Sequence, residues 1–135
     1  MQRQALHADL MVEITRAAGQ SLVWQKPGAV GGVRAPTLLC AQFPSEAARN
    51  LAEQSLADAN ITTRRWYQPL LSDMAALQQC CETLAIPHAQ QLSRTLLGLP
   101  FFLGITQAQR ARIAGALAQS GPLRVDETQL AAAAL

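Results

Sequence analysis

Residues 96–117 read LLGLPFFLGITQAQRARIAGAL and decide how the rest of the chain is interpreted. Their first part is a short apolar run without charges, which is typical of a buried strand. Pro100 ends that strand because proline cannot donate a hydrogen bond to a neighbouring strand. The second part predicts a helix that begins after Thr106, since threonine is a good N-cap and Gln109 follows at capping-box spacing. A strand, a turn and an amphipathic helix are therefore expected here.

The same signals predict further elements upstream of this stretch. Leu51 and Leu56 are expected on the inner face of a helix that starts at Ser45, and Met74, Leu77 and Cys81 on the inner face of a short one. The predicted helices lie at 3–18, 45–59, 72–84 and 87–95, and the predicted strands at 37–43 and 61–68.

This order of elements predicts an α+β fold with a small sheet of about three strands, antiparallel or mixed, and helices mainly on one face. The other face then needs cover from the N-terminal helix, another subunit or a missing domain. We divide the chain into an N-terminal helix (1–19), a glycine-rich and proline-containing loop (20–35), an α+β domain (36–120) and a tail (121–135).

Composition excludes several classes of function. The net charge of +2 over 135 residues, without a basic stripe interleaved with aromatic residues, argues against nucleic-acid binding. No apolar run approaches the length of about 20 residues that a membrane helix needs, and no signal-peptide pattern is present, so we expect a cytoplasmic protein without a membrane partner. Cys40, Cys80 and Cys81 lack metal-ligand spacing and are expected to be reduced and partly buried, with no metal site.

Several segments together resemble a known family. They are a helix ending into ITTRRWYQPL at 61–70, Pro87 at the start of the next helix, LLGLP at 96–100 and the helix capped by Thr106. In this combination the chain resembles the C-terminal small domain of the DegT/StrS-type aminotransferases. These are enzymes of fold type I that use pyridoxal phosphate and act on nucleotide sugars. Leu71 stands where many relatives have a histidine.

The resemblance implies a reaction and partners that this chain alone does not complete. The family transfers an amino group, usually from glutamate, to a keto-sugar nucleotide in polysaccharide or glycoside biosynthesis. Its Schiff-base lysine lies in a large domain with no counterpart here, and Lys26, the single lysine, is interpreted as a surface residue. We therefore expect no catalytic, cofactor-binding or metal-binding residue in this chain. Pyridoxal phosphate is expected only in a complete enzyme, and the partner is a large domain or a second copy in a homo-oligomer.

Four consecutive residues are candidates for substrate binding. Arg64 and Arg65 could meet a diphosphate or a carboxylate, because guanidinium groups bind such anions through two parallel hydrogen bonds. Trp66 or Tyr67 could stack on a sugar or a base. The alternative is an edge strand with solvated arginines and a core aromatic residue.

A different class of function stays open beside the aminotransferase interpretation. The chain could be a non-catalytic α+β module that binds a protein partner through its helix faces. His88 has no paired carboxylate in its motif, and the adjacent Cys80 and Cys81 have no neighbouring base, so neither pattern indicates nucleophilic catalysis.

Overall fold

The fold is taken from a computed structural model, which describes residues 2–18, 22–25, 36–66, 68–82 and 84–120. The helices are α1 (Gln2–Ala18), α2 (Glu46–Asp58), α3 (Ala75–Gln78), α4 (Pro87–Thr95) and α5 (Gln107–Gln119), and a 3-10 turn spans Leu71–Asp73. The strands are β1 (Val23–Trp24), β2 (Leu39–Gln42) and β3 (Leu96–Leu99).

The three strands form one antiparallel sheet in the order β1-β2-β3. The central strand β2 pairs along its whole length with β3, from Leu39 opposite Leu99 to Gln42 opposite Leu96. All four residues of β3 are buried. The prediction of an α+β fold with a small three-stranded sheet is confirmed.

Helices α1, α2 and α5 cover one face of the sheet, which we call the helix face. Because side chains alternate along a strand, every second residue of β2 and β3 points toward these helices. The resulting core contains Leu10, Ile14, Leu39, Ala41, Ala52, Leu56, Leu97, Leu99, Ile113 and Leu117. The prediction that helices pack mainly on one face is confirmed.

Local capping signals act as expected. The Thr106 hydroxyl accepts a hydrogen bond from the Gln109 backbone N–H, and the Gln109 side chain accepts one from the Thr106 backbone N–H at 2.8 Å. Ser45 caps α2 by accepting from the Ala48 N–H. Asn60 then turns the chain in the left-handed conformation, with φ of 55°. These contacts satisfy helix-end groups that would otherwise have no partner.

The predicted strand at 61–68 is wrong, because this segment meets the sheet at a single bridge. Arg64 and Gly98 exchange two backbone hydrogen bonds, of 3.0 and 2.8 Å. After the bridge the side chains contact other groups. Arg65 binds the Glu53 carboxylate on α2, and Trp66 packs on Gly98. The third strand of the sheet is therefore not 61–68 but a different segment.

That member is β1, which lies inside the predicted loop 20–35. Its two residues are too few for an alternating pattern to be recognised in the sequence. The strand is held by pairing of Trp24 with Ala41 and by a hydrogen bond of 2.8 Å that the Trp24 indole Nε1 donates to the Thr15 hydroxyl on α1.

The predicted helix at 72–84 is also wrong. Among its described residues, this range forms only a 3-10 turn, which begins at Leu71, and the four-residue α3, and neither contains a buried residue. Met74 and Cys81 are exposed, and the backbone N–H groups of Cys80 and Cys81 both return to the Leu77 carbonyl, where the helix ends. Without a core to pack against, so short a helix gains little stability.

Burial differs from the prediction at several residues. Leu51 is 59% exposed, whereas Arg49 takes the buried position on α2. Cys40 is buried as a free thiol, but Cys80 and Cys81 are exposed, which corrects the expectation that they are partly buried. The expected tail at 121–135 lies outside the described residues.

Replacing Thr106 with alanine should lower the free energy of unfolding by about 1 kcal/mol, because the N-terminal N–H groups of α5 lose their cap. Urea unfolding followed by circular dichroism measures the change. Thr106→Ser keeps the hydroxyl and serves as the control. Equal stability of the serine and alanine variants would contradict a capping role.

Candidate functional site

The structure places the candidate residues Arg64, Arg65 and Trp66 side by side but gives them different partners. Arg65 points toward α2, while Arg64 lies over the Trp66 ring. The fourth candidate, Tyr67, lies outside the described residues. The two arginines therefore do not form one paired binding site.

Arg65 is held by a carboxylate. Its Nη2 lies 2.6 Å from Glu53 Oε2, and its Nε donates to both oxygens of Glu53 at 3.0 and 2.9 Å. The hydrogen bond to Glu53 raises the pKa of Arg65 above its usual value. This arrangement occupies the guanidinium edge that an anionic ligand would use.

Glu53 also approaches Arg49, a residue that the sequence analysis did not single out. The Arg49 side chain is completely buried, and its Nε donates a 2.9 Å hydrogen bond to the Arg94 carbonyl near the end of α4. Its other nitrogens lie 3.5 Å from Glu53 and 3.6 Å from Glu46. Burial, followed by the charge of Arg65, lowers the pKa of Arg49.

Arg49 therefore connects α2 to α4 and, through Glu53, to the segment that carries the candidate residues. A signal for it existed in the sequence: glutamates stand three residues before it and four after it, on the same side of the helix. Its Nη2 has no hydrogen-bond partner among the described residues. A buried guanidinium with incomplete pairing is costly to disturb.

Arg64 and Trp66 form the outward-facing part of the site. The Arg64 guanidinium carbon lies 4.3 Å from the centre of the Trp66 ring, which is a cation–π distance. No ion pair among the described residues involves Arg64. The indole therefore positions the Arg64 guanidinium, which is exposed to solvent.

The Trp66 indole packs against Gly98 on β3. A Cβ atom at Gly98 would overlap the Nε1 and Cδ1 atoms of the ring, so this position requires glycine. Arg64 and Trp66 also line a cavity of about 280 Å³ together with the hydroxyl-bearing Thr37 and Thr63. None of the described residues around it is acidic, so the cavity suits a ligand that carries hydrogen-bond acceptors or negative charge.

A larger cavity of about 790 Å³ lies between the other face of the sheet and the segment around α4, and we call it the apolar cavity. Leu71 contributes to it and is 69% exposed. The other lining residues are Val23, Trp24, Gln25, Gln42, Pro69, Leu70, Ser72, Ile86, Ala89, Leu92 and Leu96. The second face of the sheet is therefore only partly covered by the described chain.

Possible metal ligands and both histidines lie within the described ranges. Across residues 2–18, 22–25, 36–66, 68–82 and 84–120, no three histidine, cysteine or acidic side chains come together as a metal site. His7 is buried against Phe101, and burial lowers its pKa, whereas His88 is exposed. Lys26 lies outside the described residues.

In the part of the chain that the structure describes, no helix combines the length and apolar character needed to cross a membrane.

Comparisons with known proteins show what this fold is. No protein-family model matches the chain, and no curated protein matches it. Among solved structures, it is similar to the aminotransferase TlmJ from Streptoalloteichus hindustanus, with a TM-score of 0.72 and 16% identity over 98% of this chain and 32% of that chain.

Two further structures give the same result. A DegT DnrJ EryC1 StrS aminotransferase from Brucella abortus has a TM-score of 0.67 and 15% identity, over 87% of this chain and 31% of that one. A protein described as a sugar aminotransferase from Streptococcus pneumoniae, in its PMP form, has a TM-score of 0.68 and 18% identity, over 88% and 31%.

The described chain thus has the fold found in roughly a third of a DegT/StrS-type sugar aminotransferase chain. The resemblance noted in the sequence agrees with these structural neighbours. At this level of identity the likeness concerns the fold, and the chain spans about a third of the length of the structures it matches.

Replacing Gly98 with alanine should destabilise the fold by about 1–3 kcal/mol, since the added methyl overlaps the Trp66 indole on a buried strand. Gly115→Ala is the matched control, because nothing lies near a Cβ there and alanine favours the helix. Thermal unfolding and near-ultraviolet circular dichroism report stability and indole packing. A Gly98→Ala variant as stable as the wild type would show that Trp66 does not rest on this glycine.

Arg49 and Arg65 should respond differently to the same change. Arg49→Lys should cost about 1.5–3 kcal/mol, since the ammonium group cannot keep the buried Nε bond to the Arg94 carbonyl. Arg65→Lys should cost less than about 1 kcal/mol, because its ion pair is partly exposed. Chemical denaturation of both variants measures the difference, and equal losses would contradict the structural role assigned to Arg49.

Proposed function

We propose that this chain forms the C-terminal small domain of a pyridoxal-phosphate-dependent sugar aminotransferase of the DegT/StrS type. The complete enzyme would transfer an amino group, usually from glutamate, to a keto-sugar nucleotide in polysaccharide or glycoside biosynthesis. The observation that carries the proposal is the match of nearly the whole described chain to a third of several such structures. We place this enzyme in the cytoplasm as part of the same proposal.

Within this proposal the chain supplies a supporting wall and not the reacting groups. Pyridoxal phosphate supplies the electron sink for amino transfer when it is bound to the complete enzyme. The lysine that holds it would come from a large domain, either in the same polypeptide or in a partner. The apolar cavity, with exposed Val23 and Leu71 at its margin, is a surface that such a domain or a second copy of the chain could cover.

Arg64 is the residue we propose for contact with the substrate. Its guanidinium is positioned by Trp66, and no carboxylate among the described residues pairs with it. Arg65 is better explained as a structural residue, because Glu53 binds it along its donor edge. Trp66 supports Arg64 with its ring, and a stacking role for Tyr67 stays a prediction.

The second candidate function is a non-catalytic interaction module. It is favoured by the apolar cavity, whose lining is mostly hydrophobic, with Gln25, Gln42 and Ser72 as its polar residues, and needs no cofactor to explain it. The two functions differ in whether the partner carries pyridoxal phosphate.

The proposal is tested by purifying the affinity-tagged protein from its native host and reducing the sample with borohydride. Reduction traps any pyridoxal phosphate that is bound to a lysine. We expect a phosphopyridoxyl-lysine in a partner protein or in additional sequence joined to this chain, detected by mass spectrometry. We expect none on Lys26, because the sequence indicates that this lysine is a surface residue. The purified 135-residue chain should likewise form no Schiff base.

The tagged Lys26→Ala variant is the control. An unchanged phosphopyridoxyl signal in this variant supports a lysine outside the chain, whereas loss of the signal would make Lys26 the cofactor residue and contradict the proposal. A partner that copurifies without pyridoxal phosphate would instead support the interaction module.

A further inference from the structure

Two cysteine side chains meet at the end of α3. Cys80 and Cys81 are consecutive, both are free and exposed, and their Sγ atoms lie 3.6 Å apart. The Cys80 thiol also lies 3.3 Å from the Ala76 carbonyl oxygen. The two sulfurs therefore face the same side of the chain despite their adjacent positions, and solvent reaches both residues.

This geometry suits a chelate better than a disulfide. A disulfide brings its sulfurs to about 2.05 Å and its Cα atoms to about 4.4–6.8 Å, whereas neighbouring Cα atoms are about 3.8 Å apart. Two thiolates that bind one ion at about 2.3 Å each, with an S–metal–S angle of about 109–120°, are separated by about 3.8–4.0 Å. The separation in the structure is close to the chelate value, so a metal ion needs little rearrangement.

We propose that Cys80 and Cys81 form a binding site for a thiophilic metal ion of the Cu(I) class, held as a bent dithiolate whose third coordination position is taken by a small anion from solution. Thiolates select soft ions such as Cu(I). In the described part of the chain no third histidine, cysteine or acidic ligand joins the pair, which disfavours the four-ligand site of structural zinc. Binding one Cu(I) forms two Cu–S bonds and releases the two thiol protons to solvent, with no change in oxidation state.

The surroundings of the pair favour a cation. The backbone N–H groups of Cys80 and Cys81 both donate to the Leu77 carbonyl, which fixes the backbone that carries the two thiols. Glu82, the next residue, is exposed and adds a negative charge to the same segment.

Cys40 provides an internal comparison. It lies on β2 with only 2% of its surface exposed, and burial raises the pKa of its thiol. A metal ion has no access to it in the folded chain. Ellman's reagent should therefore react with two thiols in the native protein and with the third only after unfolding.

The site is tested by anaerobic titration of the full chain with Cu(I) in competition with a chromogenic Cu(I) chelator. We expect one Cu(I) per chain and loss of both reactive thiols. Cys80→Ser and Cys81→Ser should each weaken binding by about 100-fold or more, because the second thiolate no longer binds within the same molecule. Cys40→Ala, checked for folding by circular dichroism, should bind as the wild type does.

Wild-type affinity in either single serine variant would overturn the proposal, as would one Cu(I) shared between two chains. Phenylarsine oxide gives a second, independent measurement. Its arsenic forms one bond to each sulfur, and its oxygen leaves as water with both thiol protons. The wild type should therefore form a stable one-to-one adduct by mass spectrometry, and an equally stable adduct of Cys80→Ser would contradict a dithiol site. Neither measurement depends on pyridoxal phosphate or on an aminotransferase partner.

Discussion

Pairing of β2 with β3 is the constraint on which the rest of this fold depends. Four residues of each strand lie in register, and alternate side chains serve two different surfaces. On the helix face they contribute to the core with α1, α2 and α5. On the other face Gly98 receives Trp66, and Trp66 in turn supports Arg64. A slip of one residue in this register would exchange the two surfaces.

Elements governed by local chemistry were predictable from the sequence. The caps at Ser45 and Thr106, proline at the start of α4 and the left-handed turn at Asn60 each depend on a few neighbouring residues. The fold class followed from the order of those elements, since an α+β layer arrangement needs only their type and sequence. The candidate segment around Arg64 could likewise be located in the sequence, because consecutive arginine and aromatic residues are uncommon in a chain with few aromatic side chains.

Features that depend on distant partners could not be predicted. β1 exists because Trp24 reaches Thr15 on α1 and pairs with Ala41, and neither contact leaves a pattern in two residues. The flanking glutamates mark Arg49 in the sequence, but they do not predict its burial, which depends on the Arg94 carbonyl, 45 residues later, accepting its Nε–H. The different contacts of Arg64 and Arg65 could not be predicted either, because they depend on the position of Glu53 on another element.

The two sheet faces are covered unequally, so one side of this domain should open before the other. Helices with many apolar contacts protect the helix face. Residues 61–66 meet β3 through one bridge, and the described residues 68–82 form only short helical turns. Partial opening of that side would expose the apolar cavity while the main core stayed intact. The chain therefore combines a durable scaffold with a cover of lower local stability, and amide exchange should divide the molecule along the plane of its sheet.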